Sequence, residues 1–133
     1  MSQINSKSIL KVLKAASQGG LIAAGINISW LFILEYSFKI TGLPNGFPIA
    51  VVISSILPIL IGAIVYFFLQ KNFTEANRLF IFIGASFTAL SMFPSFAATL
   101  PDGTPTPEHF ALLTIPMHFV AGFVGLFYIT QRS

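Results

Sequence analysis

Residues 49–69 read IAVVISSILPILIGAIVYFFL, a run without a single Asp, Glu, Lys or Arg. Crossing the hydrocarbon core of a bilayer takes about 20 mostly apolar residues in a helix. The run has that length and that composition. Three further stretches meet the same test, at about 15–34, 79–98 and 110–130. A transmembrane β-strand would instead alternate apolar and polar positions over ~10 residues, so the continuous runs exclude a barrel.

The whole chain agrees. It has 133 residues, 55% hydrophobic and 8% charged, with a mean hydropathy of +0.85. Soluble domains carry roughly 25% charged residues, and 8% cannot cover a water-facing surface. The chain has no cysteine, which excludes disulfide-stapled folds, thiolate nucleophiles and cysteine-ligated clusters. The net charge of +3 is scattered and gives no nucleic-acid footprint. The expected fold is an all-α integral membrane protein: one domain over 1–133, an antiparallel bundle of four transmembrane helices. The lipid bilayer is its first partner.

Turn residues separate the spans. Gly42, Pro44, Asn45, Gly46 and Pro48 break the chain before the second span, and a short polar link at 70–74 precedes the third. Thr74 is placed to cap the third helix, with Glu75 in its first turn. Pro101, Asp102 and Gly103 read as a turn, and Thr106, Pro107 and Glu108 read as N-cap and first turn of the fourth helix. Pro58, Pro94 and Pro116 fall inside spans and predict kinks. The first span is too long for the ~7–15-residue apolar core of a signal peptide and lacks a cleavage site, so it reads as a retained helix.

Six of the seven basic residues (Lys7, Lys11, Lys14, Lys71, Arg78 and Arg132) fall on one side of this layout. Lys39, Glu35, Asp102 and Glu108 fall on the other. The positive-inside bias therefore predicts that both termini and the short middle link are cytoplasmic in a multi-pass protein. Tyr36, Tyr66 and Tyr128 lie near span ends, where an aromatic belt belongs.

Helices associate in lipid through small residues and interhelical hydrogen bonds. Spacings of three and four align Ser17, Gly20, Ala24 and Asn27 in the first span, and Ser54, Ser55, Pro58 and Gly62 in the second. They align Gly84, Thr88, Ser91 and Ser95 in the third, and Ala111, Thr114, His118, Gly122 and Gly125 in the fourth. These stripes are the expected helix contacts.

Four residues are candidates for a ligand site or a polar interior: His118, Asn27, Ser91 and Glu35. His118 lies about 12 Å into the membrane from the start of its span. It reads as a proton relay, ligand contact or haem ligand, or else as a neutral imidazole bonded to Asn27 or Ser91. His109 lies too far along the same helix to share one iron with it. Asn27 reads as a clamp between helices or as the lining of a polar pocket. Glu35 reads as an interfacial carboxylate, alone or paired with Lys39, or as an outer cation site. Asp102, Glu108 and His109 share a loop at no metal-specific spacing. Nothing forms a catalytic constellation or calls for a cofactor. Lys7, Lys11 and Lys14 read as a topology signal with weak attraction to anionic lipid.

The order of polar marks resembles a family of small four-helix bacterial membrane proteins known only as a domain of unknown function. The marks are Asn27 before an aromatic-rich span end, Ser54-Ser55-x-x-Pro58, Arg78 opening the third span, Ser91 and Pro94 closing it, and Met117-His118. The resemblance implies the four-span layout and an inner-membrane location, and no activity. The expected role is a non-enzymatic membrane protein binding a lipid, an apolar small molecule or a membrane partner, a second copy included. The alternative is a small transporter or channel subunit with a polar path along Asn27, His118 and Glu35. A membrane enzyme ranks third, for want of carboxylate or histidine clusters.

Overall fold

A computed structural model describes residues 6–132, with side chains from residue 9 onward. Ser2 and Ser133, which bear on the expected placement of the termini, lie outside the described residues. Four helices run in chain order: α1 (Ser6–Phe38), α2 (Phe47–Asn72), α3 (Ala76–Ser91) and α4 (Phe110–Arg132). A 3-10 helix at Phe93–Phe96 extends α3, and each of the four candidate spans is long and apolar enough to cross a membrane. Their outward faces are rich in exposed Leu, Ile, Val and Phe, as helices in lipid require. The chain is a multi-pass membrane protein by this composition and architecture.

Neighbouring helices run antiparallel. Along α3 and α4, Gly84 faces Leu126, Thr88 faces Gly122, Ser91 meets His118 and Ser95 meets Thr114, so one number rises as the other falls. Along α1 and α4, Gly19 faces Tyr128, Asn27 reaches Met117 and Trp30 reaches Leu113. Helices α2 and α4 run parallel, with Ile59 against Gly125 and Gly62 against Ile129. They meet across the middle, and among the described residues α1 and α3 do not touch. The bundle is therefore closed along its axis by apolar packing around Ile59, Ala63, Phe80 and Ile129.

Helix α1 starts well before the expected entry at residue 15. Its inner stripe already buries Val12, Ala15 and Ala16, while Lys11 and Lys14 point outward. The apolar run thus marks where lipid begins, and the amphipathic turns before it extend the helix. At the start of α2, Gly46 takes a left-handed φ of 81°, open to glycine at little cost, and Pro48 lies in the first turn.

Several expected details are corrected. The third span is not one kinked helix: α3 stops at Ser91, because Pro94 lacks the N–H that would continue it and disfavours helical geometry before it. Thr74 does not cap α3. Glu75 stands at that position without a side-chain cap and pairs with Arg78 at 3.2 Å. Thr106 does not cap α4, which begins at Phe110, because His109 adopts a left-handed φ of 64°. The Thr106 hydroxyl instead donates to Ala97 O and its N–H to Ala98 O, which closes the outer loop into a small hairpin. On α2 the inner stripe is Val51, Ser55, Ile59 and Ala63, whereas Ser54 and Pro58 face outward. Ser17 is likewise exposed and bonds Leu13 O. Tyr66 is no belt residue: it is buried against Phe80, with its hydroxyl donating to Asn77 Oδ1.

Candidate functional site

The polar candidates fall into two separate seams. The first joins α1, α2 and α4 at Asn27, which is only 2% exposed. Its Nδ2 donates to Ser55 Oγ at 2.9 Å and to Met117 O at 3.1 Å. Ser55 passes its own hydroxyl hydrogen to Val51 O at 2.7 Å, so it accepts from Asn27. One turn along, the indole N–H of Trp30 donates to Leu113 O at 3.2 Å. The two α1 donors thus bracket Pro116, the one place in α4 where a proline removes a backbone N–H. Asn27 Oδ1 is buried and has no partner among the described residues.

The second seam joins α3 and α4. Ser91 Oγ lies 3.1 Å from His118 Nδ1 and gives its hydrogen to Thr88 O at 2.7 Å. That network assigns the donor role to Nδ1–H and leaves Nε2 as the acceptor nitrogen. His118 is half-buried, and one turn outward the hydroxyls of Thr114 and Ser95 meet at 2.7 Å, while Thr114 Oγ1 also bonds Phe110 O at 2.9 Å. Small residues make this contact possible. Gly122 lets Thr88 approach, and Gly84 does the same for Leu126.

The structure therefore brings Ser91 to His118, one of the two partners the sequence suggested, and does not bring Asn27 there. Met117 and His118 are adjacent in sequence, but one faces α1 and the other α3. Glu35 is half-exposed near the outer end of α1 and makes no ion pair with Lys39 among the described residues. Lys39 itself takes a left-handed φ of 49° just past the last residue of α1. Sequence reasoning missed Trp30 as a clamp. The available signal was its spacing of three from Asn27, which sets both on one helix face.

The outer-loop acids do not converge. Asp102 Oδ1 accepts from the Thr104 hydroxyl and N–H, and these bonds, the hydroxyl first, hold its carboxyl below the usual carboxylate range. Glu108 lies 3.8 Å from His109 Nε2, and the His109 ring leans on Phe38. Among the described residues no three His, Asp or Glu side chains come close enough to share a metal ion.

A concavity does occur on the outward side of α1. Ile22, Gly25, Ile26, Ser29, Trp30 and Ile33 line a shallow, open lateral groove of about 490 Å³ along α1, with open space where Gly25 has no side chain. Trp30 forms its wall and is held there by the bond to Leu113. A second, polar hollow lies beside the α2–α3 link and contains Glu75 and Arg78.

No protein-family model matches the chain, and neither a curated protein nor a solved structure matches it.

The His118 contact is a modest one. Ser91 keeps its bond to Thr88 when the imidazole is removed, so no buried group is stranded. His118→Leu should lower stability by only about 1 kcal/mol. Thermal unfolding in detergent checks this. A loss several times larger would mean that the ring holds more than Ser91.

Proposed function

We propose that this is a non-enzymatic multi-pass protein that binds an apolar membrane molecule at its lateral face. The groove on α1 carries the reading, since it opens sideways into lipid and is lined by apolar side chains around a glycine notch. The axis of the bundle supports the same view. Helices α2 and α4 pack across it, Asn27 is sealed, and His118 sits in a different seam. A continuous polar path along Asn27, His118 and Glu35 has no support in this arrangement, which ranks transport second.

Trp30 is the sole tryptophan and lines the groove, so it reports occupancy directly. Lipids brominated on the acyl chain should quench Trp30 at mole fractions well below those that quench by bulk contact. Proteoliposomes should hold a pH gradient as well as protein-free vesicles do. Collapse of the gradient, prevented by His118→Leu, would replace binding with transport.

We place the protein in a bacterial inner membrane, in the small four-helix family it resembles, with the basic ends of the helices in the cytoplasm. The charge bias supports this orientation. The absence of native cysteine makes the test simple. In intact cells, an impermeant maleimide should label Asp102→Cys at once and Gln70→Cys only after permeabilisation. The reverse pattern would invert the topology.

A further inference from the structure

The outward stripe of α1 does not end at the groove. From Lys11 the steps to Lys14, Gln18 and Ile22 are three, four and four residues, and the same stripe continues through Gly25 and Ser29 to Ile33. All of these positions are exposed. The apolar groove and a pair of lysines therefore lie on one face of one helix, with the lysines toward its N-terminal end. Neither Lys11 nor Lys14 has an ion-pair partner among the described residues.

We infer that this face seats one phospholipid with an anionic headgroup. The inference rests on the groove being a binding surface and adds the identity of its occupant. Charge complementarity selects the headgroup: two unpaired ammonium groups, one helical turn apart, face the phosphate level of the membrane. Lysine stems reach along apolar surface and keep the charge at the headgroup. The axial distance selects a lipid chain over a short ligand. The groove runs from Ile22 to Ile33, eleven residues or about 16 Å along the helix, the length of an extended acyl segment and close to the ~15 Å depth of one leaflet. A chain descending from the lysines thus passes Ile22 and crosses the Gly25 notch, where an added Cβ would meet nothing within 4 Å. The rigid Trp30 ring bounds its far side.

The test is native mass spectrometry of the full chain from micelles holding equal amounts of dioleoyl phosphatidylglycerol and dioleoyl phosphatidylcholine. The wild type should retain one phosphatidylglycerol in preference to phosphatidylcholine. Lys11→Gln with Lys14→Gln should weaken that preference roughly thirtyfold. Lys71→Gln with Arg132→Gln, equally basic residues of the same membrane side, should leave it intact. Gly25→Leu fills the notch at a position where an added Cβ meets nothing within 4 Å, and should release both lipids while the thermal transition is unchanged. A preference that survives loss of both lysines, or that falls equally in the Lys71 and Arg132 variant, overturns the headgroup assignment and leaves the groove standing. Unchanged retention in Gly25→Leu removes the groove reading itself. A protein dimer abolished by Gly25→Leu, with no lipid retained, would give the face to a second copy and also overturn the inference.

Discussion

Gly122→Leu should destabilise the bundle by about 3 kcal/mol, whereas Phe123→Leu beside it should be mild. A Cβ on Gly122 would lie 2.6 Å from Thr88 Cγ2 and 3.0 Å from Thr88 Cβ, with Oγ1 closer still. Every one of these atoms belongs to a short β-branched side chain with no far end to swing away. Thr88 Oγ1 is also committed to Gly84 O at 2.8 Å, so a rotamer change breaks that bond. Leucine gains up to about 1 kcal/mol in helix propensity over glycine. That gain acts within α4 and does not relieve the clash. Relief requires α3 and α4 to separate, which pulls Ser91 from His118 and Ser95 from Thr114. Phe123 is 73% exposed, so shortening it removes only lipid contact. Thermal unfolding in detergent compares the two. A wild-type transition for Gly122→Leu would mean that α3 and α4 do not pack through this face.

The other glycines supply internal controls, because their surroundings differ in kind. At Gly84 the obstructing atom is Leu126 Cδ2 at 2.5 Å, the far end of a flexible side chain. At Gly25 nothing lies within 4 Å. The expected order of damage on substitution by alanine is therefore Gly122, then Gly84, then Gly25.

The seam on α4 was legible in the sequence for a simple reason. In a membrane, small residues at steps of three and four have few uses besides close packing, and Thr114, His118, Gly122 and Gly125 all point into contacts. The same rule failed on α2. Ser54 and Ser55 are adjacent, so only one can face inward, and the pattern alone does not choose. Packing chose Ser55, whose hydroxyl Asn27 needs; Ser54 satisfies itself on Val51 O at 3.2 Å and faces lipid. Helix ends were less legible than helix existence. Thr106 had the right type and spacing for a cap, yet the hairpin across 97–106 offered it the carbonyl of Ala97, a contact no local pattern encodes. The lateral groove was invisible as a motif because it consists of a missing side chain at Gly25 beside an indole tied to another helix. The separation of Asn27 from His118 was hidden for a similar reason. It depends on α2 and α4 meeting across the centre, which is a property of the assembled bundle.

The most damaging single change should be Asn27→Asp. It preserves shape, removes the side chain's donor and adds a negative charge. Both partners of Nδ2 are acceptors at that contact: Met117 O, and Ser55 Oγ with its hydrogen on Val51 O. A carboxylate would set oxygen against oxygen at about 3 Å, in a site 2% exposed and without a cation among the described neighbours. An uncompensated buried charge costs about 3–5 kcal/mol. Asn27→Leu, of similar size, removes the two donated bonds but also removes the unpartnered Oδ1. The variant strands no donor, because Ser55 keeps its hydrogen on Val51 O and only two acceptors lose a bond, so Leu should cost about 1–2 kcal/mol. The order Asp far below Leu, and Leu slightly below wild type, is the signature of a clamp that works by donating across two helices. Thermal unfolding of the three proteins in one detergent reads it. If Asp were tolerated as well as Leu, the Asn27 pocket would have to contain donors or water enough to hold a charge, and the sealed interior on which lateral binding rests would give way to a hydrated one.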